Sequence, residues 1–362
     1  MLKKILLLNF IFLLFIGCSS DESSGNSQSN SVWEQKTEML TNWADNFIIP
    51  GYQELYSKLL ELQVAKNDFI SETSQQNLDI IRSKWLEAYI LWQKVEMFNI
   101  GPAEQSFYNN KMNIYPTNST KIELNVQSGN YDLEDASNFS SQGFPCLDYL
   151  LHGIQSTDNS IISLYNENEN YKNYLSNITN QLVSNTLYIK EQWVTYRSSF
   201  VNSTENTATS SANKMTNDFI YYYEKGFRSN KFGIPGGVFS NNPFPEKVEA
   251  YYNQNISKLL ANEAFDAIKN FFSGNGGYSL EDFIDNYATG DQTNLSSEIK
   301  SQFYAVDDMI AELDQNFHNQ IQEDLIKFLS TYDAIQQGTI LLKTDMLSIL
   351  QIATDYIDAD GD

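Results

Sequence analysis

From Trp33 onward, apolar side chains recur at three- and four-residue spacing, and this period constrains the fold more than any other feature of the chain. Met39, Leu40, Trp43, Phe47, Tyr52, Leu55, Tyr56, Leu59 and Leu62 fall on one helical stripe within 33–63, with Pro50-Gly51 predicting a kink or break inside it. Residues 78–100 read as a second long helix, stopped by Gly101-Pro102. The segment 113–142 is polar and turn-rich, with a short helix predicted at 121–127. A short apolar helix at 143–153 and a long amphipathic one at 171–200 close the first half. The Ser-, Thr- and Asn-rich run 201–213 predicts a linker. The second half predicts a helix at 214–225, a loop at 232–237, a long helix over 245–272 and a Gly-rich turn at 274–277. Further helices are predicted at 280–286, 295–317, 320–336 and 340–356. Two-residue Asn-Gly turns between alternating apolar runs, which would mark hairpins, are missing. The expectation is an all-α fold of two packed helical bundles, residues 32–200 and 214–362. The aromatic content of 14%, mostly Tyr and Phe, suits wide helix interfaces whose Tyr hydroxyls reach polar partners.

The N-terminus carries a different signal. Lys3 and Lys4 precede an apolar run, 5–16, interrupted only by Asn9; it is too short to span a bilayer but suits a signal-peptide core. Phe15-Ile16-Gly17-Cys18 places a small residue before a cysteine, as at a bacterial lipoprotein cleavage site. The expectation is a signal peptide at 1–17, lipid on Cys18 and a flexible Ser/Asn/Gly-rich tether at 18–31. Asp21 and Glu22 resemble the acidic signal that sends some lipoproteins to the outer face. A membrane partner, reached through the lipid, and an envelope location at the outer membrane follow from this reading. With Cys18 lipidated, Cys146 stands alone, so the apolar core rather than a disulfide must hold the fold. The formal charge of −23, more negative still once Lys3 and Lys4 leave with the signal, repels phosphate backbones and excludes nucleic-acid binding as the main activity.

Standard catalytic patterns are missing. The chain has two histidines, His152 and His318, and neither lies in a His-Glu-x-x-His pattern or precedes an acid by three positions. Cys146 sits among apolar neighbours and reads as a buried, inert thiol. The acidic tail, Asp358 to Asp362, lacks the twelfth-position glutamate of a calcium loop.

The segment Gly143-Phe144-Pro145-Cys146-Leu147-Asp148-Tyr149-Leu150-Leu151 resembles the signature of the imelysin family (peptidase M75), Gly-x-His-x-x-Glu followed by Tyr-Leu-Leu. Three other segments are similar to the family in the same order: Trp85 to Phe98 running into Gly101-Pro102, Lys231 to Gly237, and Asp345 through Leu350 to the acidic tail. The resemblance implies a two-bundle helical fold, a role in iron or haem uptake, and a site near the signature at the seam of the halves. The family is also catalogued among candidate metallopeptidases, which implies iron or another divalent metal. Here the departure matters: the motif's His is Pro145 and its Glu is Asp148. Proline offers no lone pair, and one carboxylate cannot hold zinc or iron alone.

On this reading the ligand-binding set is Gly143, Pro145 and Asp148, with Glu96, Arg228 and Lys231 as further lining. A satisfied ion pair and a ligand contact stay open for Asp148, and a structural role is favoured for Glu96. The functional expectation is a lipid-anchored binding component of an envelope uptake system, with an altered ligand site and uptake proteins as partners. The alternatives are a metal-dependent peptidase and a helical scaffold or adhesion lipoprotein.

Overall fold

A computed structural model describes residues 35–355, and these form helices without strands. The expected signal peptide, Cys18, the tether and the acidic tail lie outside the described residues.

The first long helix, α1 (Ile49–Ser71), buries Tyr52, Leu55, Leu59, Leu62 and Phe69, the stripe expected from the apolar spacing. Pro50 does not break it. Helix runs into it from Gln35 through wide, π-type turns at Trp43–Ile48, and Pro50 falls in the first turn of α1, where a missing N–H costs least. The next helix, α2 (Gln75–Val95), starts where the Ser74 side chain accepts the Asn77 N–H at 3.3 Å. Its buried face carries Leu78, Ile81, Trp85, Ala88 and Trp92. The signature forms α3 (Gly143–Asp148) and continues in π-type turns over Tyr149–Gly153. After it, α4 (Glu169–Asn202) runs from an Asn168 cap along α1. Arg82 fixes the end of the signature: two of its nitrogens donate to the Leu151 carbonyl, at 2.9 and 2.7 Å, and its guanidinium pairs with Asp158.

In the second half, α5 (Ser211–Tyr221) continues without interruption into π-type turns over Tyr222–Gly233. The loop predicted at 232–237 is therefore mostly helical. Phe232 and Gly233 finish the wide turns, Ile234–Gly236 makes one more turn, and the chain leaves at Gly237 with φ +82. The long helix predicted over 245–272 is also corrected. Residues 248–256 are an irregular strap, and helix α6 begins only at Ser257 (Ser257–Ser273), because the strap's polar groups bond across the molecule instead of along a helix. The helix predicted at 295–317 stops earlier, as α7 (Leu295–Ala311). The buried Lys258 ammonium donates to the Ala311 and Leu313 carbonyls, each at 2.7 Å, and so caps that C-terminus. Finally α8 (Leu325–Ile340) packs on α7 and on the wide-turned segment.

Buried apolar residues form one contiguous cluster that joins elements from both sides of 201–213. Trp43 stacks on Phe271 at 4.9 Å, and α2 packs against α6. Buried tyrosines tie elements together by donating to distant carbonyls: Tyr52 to Phe98, Tyr165 to Leu150, Tyr174 to Ser141 and Tyr223 to Ile335. Among the described residues no helix is long and apolar enough to cross a membrane.

Candidate functional site

The signature helix is locked before any ligand is considered. Gly143 has φ +81, and a Cβ there would sit 2.2 Å from the Met112 carbonyl oxygen, so only glycine lets α3 approach that backbone. Phe144 stacks on Tyr89 at 4.7 Å, and its carbonyl accepts the Trp85 indole N–H at 3.2 Å. Cys146 is buried, and burial pushes its thiol well above the ordinary range, so no thiolate is at hand.

Asp148, 2% exposed, is fully engaged. One carboxylate oxygen accepts the backbone N–H of Tyr252 at 2.8 Å, and the other accepts that of Asn253 at 2.9 Å. His152, one turn on, places Nδ1 3.2 Å from the Asp148 carbonyl oxygen and 3.4 Å from its carboxylate. Pro145 and Asp148 form one wall of a cavity of about 220 Å³, opposite Tyr115, Val248, Tyr251 and Tyr252. Glu246 also lines it.

Turning at Ala250 (φ +54), the strap sends the Glu249 side chain into a buried hub. There Glu249 Oε2 pairs with the Lys231 ammonium, the two side chains being 3% and 2% exposed. Glu249 Oε1 accepts from Gln93 at 3.0 Å and from the Asn113 amide at 2.9 Å. The single Tyr89 hydroxyl proton has two acceptors within reach, Asn113 Oδ1 at 2.7 Å and Glu249 Oε1 at 3.0 Å. Lys231 donates a further bond to Gln93 Oε1 at 2.7 Å. Glu96 joins through the same Asn113 amide, at 2.9 Å, and accepts the Tyr222 hydroxyl at 3.1 Å. Burial holds its carboxyl above the usual range; the Lys231 charge opposes that, and Glu249 adds to it.

The structure thus places Gly143, Pro145 and Asp148 on one locked helix, and Glu96 with Lys231 in the adjoining hub. Arg228 faces elsewhere: it pairs with Glu224 at 3.3 Å and donates to the Tyr332 hydroxyl at 2.9 Å. Glu249, the centre of the hub, was not among the candidates. Between Val248 and Ala250 it reads as one more helical acid, and nothing local distinguishes it. Pro243 and Pro245, just upstream, were the one local hint of irregular chain.

The donor set can be tested against a metal. Both Asp148 oxygens are spent on backbone N–H groups, both Glu249 oxygens on donors or an ammonium, and both Glu96 oxygens accept hydrogen bonds. Among the described residues no three His, Cys, Asp or Glu side chains are grouped to hold an ion. These residues do not fit iron or zinc, and no catalytic step through a metal follows from them.

Comparison with known proteins decides the lineage. The imelysin profile of peptidase M75 matches residues 48–343. The chain belongs to the imelysin family. An imelysin-like protein of Psychrobacter arcticum 273-4 shares its fold, with a TM-score of 0.70 at 18% identity over 90% of this chain and 98% of that one. A candidate iron-regulated protein A precursor from Parabacteroides distasonis ATCC 8503 gives a TM-score of 0.66 at 16% identity, covering 87% of this imelysin and 95% of that chain. Iron-regulated protein A of Synechococcus elongatus is 23% identical over 126 residues, which is 33% of this chain. The match spans about a third of that relative's length (34%). Pro145 and Asp148, which stand where the sequence resembles the family's His and Glu, both line the cavity.

Proposed function

We propose that this imelysin is a binding protein of the cell envelope, anchored by lipid on Cys18, which holds a small organic ligand of an iron-related uptake system beside Asp148. One observation carries the reading. The carboxylate at the family's acid position is consumed by the Tyr252 and Asn253 N–H groups, while the space beside it is walled by tyrosine and proline. Such a cavity favours a flat or ring-bearing organic group over a bare ion. The halves 32–200 and 214–362 are read as the two bundles. Pro145 and Asp148 come from the first and Tyr251 and Tyr252 from the second, so ligand binding would bridge them. The iron-related role draws support from the names of the relatives, and the partners proposed are the transport proteins of that system.

The test is elemental analysis and native mass spectrometry of the chain from Val32, purified untagged with and without supplied iron and zinc, beside Asp148→Ala and Tyr252→Ala. The expected result is a near-stoichiometric organic ligand that Tyr252→Ala loses, with no directly held metal. Stoichiometric iron or zinc that disappears in Asp148→Ala would overturn the reading and restore a metal site. Chelator-sensitive peptide cleavage would return the peptidase reading.

A further inference from the structure

The cavity beside Asp148 is lined by two carboxylates and no cation. Asp148 and Glu246 are its charged residues, and among the described residues that line it none is Lys, Arg or His. Both Asp148 oxygens accept strap N–H groups, and His152 stands 3.4 Å from that carboxylate. Glu246 differs: it is exposed, and it makes no hydrogen bond or ion pair with any described residue. The neighbouring cations are engaged elsewhere. Lys247 holds its ammonium 4.1 Å from the Phe244 ring centroid. Lys231, 6.0 Å from the Tyr115 ring centroid, pairs with Glu249 in the hub. His318 packs on Tyr251 at 5.6 Å but is not part of the lining. Counting His152 as protonated offsets Asp148 and still leaves Glu246 uncompensated.

Aromatic rings make much of the remaining wall. Tyr251 and Tyr252 meet at 5.1 Å with their planes 70° apart, which makes a corner, and Tyr115 lines the cavity with them. Tyr149 packs on Tyr252 at 5.0 Å, and a Cβ on Gly153 would fall 2.2 Å from the Tyr252 ring, so a glycine lets the corner sit where it does. The negative faces of aromatic rings attract cations, and angled rings around one point are a common way to hold an organic ammonium. We infer that the ligand of this cavity carries an organic ammonium group, seated against Tyr115, Tyr251 and Tyr252 and paired with Glu246; this rests on the cavity being the ligand site proposed above. The lining selects the charge. An anion would meet two carboxylates with no cation in the lining to offset them, and a neutral group would gain nothing from Glu246. A bare metal ion would find one free carboxylate. The volume, about 220 Å³, lies below the range of about 300–1,000 Å³ usual for drug-sized ligands, so the cavity takes the ammonium end and leaves the rest of any larger molecule outside.

The test is calorimetric titration of the full chain with benzylammonium, benzyl alcohol and benzoate, which share a ring and differ in charge. Benzylammonium should bind about tenfold or more tighter than benzyl alcohol, with benzoate weakest. Glu246→Gln, at an exposed position, should weaken benzylammonium about threefold or more and leave benzyl alcohol unchanged. Tyr251→Leu keeps an apolar wall without the ring and should narrow the gap between the two. Competition with phosphatidylcholine vesicles locates the source: displacement of benzylammonium assigns the ammonium to a lipid headgroup, no displacement assigns it to a free solute, and either outcome keeps the class. The inference is overturned if benzyl alcohol or benzoate binds as tightly as benzylammonium, if the preference survives Glu246→Gln and Tyr251→Leu unchanged, or if none of the three binds. The ligand site itself is judged apart from its charge: a co-purified molecule that Tyr252→Ala loses, but that carries no cationic group, overturns this inference and leaves the cavity as the ligand site.

Discussion

The Asp148 carboxylate accepts the Tyr252 backbone N–H at 2.8 Å, and this bond holds the signature helix to a strap 104 residues further along the chain. With Asn253 bound to the second oxygen at 2.9 Å, the side chain must be an acceptor at both ends. Asp148→Asn keeps one acceptor and turns an NH₂ toward the other N–H. Urea unfolding should show a loss of about 1.5–3 kcal/mol, the range for hydrogen bonds to a charged group, with Asp148→Ala at least as damaging. An Asn variant as stable as the parent would mean that the strap is held by other contacts.

Lys231 and Glu249 make the second long-range joint, and here both charges are buried. Lys231→Met leaves Glu249 with neutral donors only, and should cost about 3 kcal/mol or more. Pairing it with Glu249→Gln removes the stranded charge and should recover part of that loss. A double-mutant cycle in urea measures the coupling; additive losses would show that the ion pair contributes nothing beyond its separate hydrogen bonds.

Asp218 should make stability fall with rising pH. Its folded value, about 8, lies above the ordinary 3.8, so the native state favours the neutral carboxyl. The stability this contributes is complete below the ordinary value and drains away as pH rises through the window up to about 8. Lys214 opposes the shift, while Asp355 and Glu104 reinforce it. Asp218→Asn should therefore be more stable than the parent at about pH 9 by up to a few kcal/mol, each pKa unit being worth about 1.4 kcal/mol, and should gain much less at about pH 5. Chemical denaturation at the two pH values decides it. A pH-independent difference would contradict the shift.

Gly143→Ala separates a packing role from a ligand role. With φ at +81 and the Met112 carbonyl 2.2 Å from the new Cβ, the variant should lose more than about 2 kcal/mol or fail to fold. A stable Ala variant that lost only ligand would instead make Gly143 a contact residue.

The sequence foretold the helices that carry their own instructions. Ile49–Ser71 and Gln75–Val95 have apolar stripes at helical spacing, and Ser74 and Asn168 are local caps whose bonds close within three residues. The signature was legible for the same reason, as a contiguous string. The strap was not. Residues 248–253 carry helix-compatible side chains, but Glu249 finds its partners in Tyr89, Gln93, Asn113 and Lys231, and the Tyr252 and Asn253 N–H groups find theirs in Asp148. Apart from Lys231, these partners lie more than a hundred residues away and leave no periodic trace, so local propensity pointed to a helix that tertiary bonds override. Pro50 failed as a helix breaker for a related reason. Wide turns just before it put the missing N–H where a helix start tolerates its absence.

The wide turns at Tyr222–Gly233 work as a phase shift in a screw. Asp218, Tyr222 and Lys225 line a surface recess beside Glu96, Arg228 reaches Tyr332, and Lys231 enters the hub, so one continuous helical rod aims at three separate places. Because each residue turns even this wide helix through a large angle and adds little length, deleting a single residue between 225 and 228 would scarcely shorten the rod. It would swing Lys231 out of the hub while leaving the face that carries Asp218 where it is. In this fold, residue count along one helix is a means of setting which part of the molecule each side chain reaches.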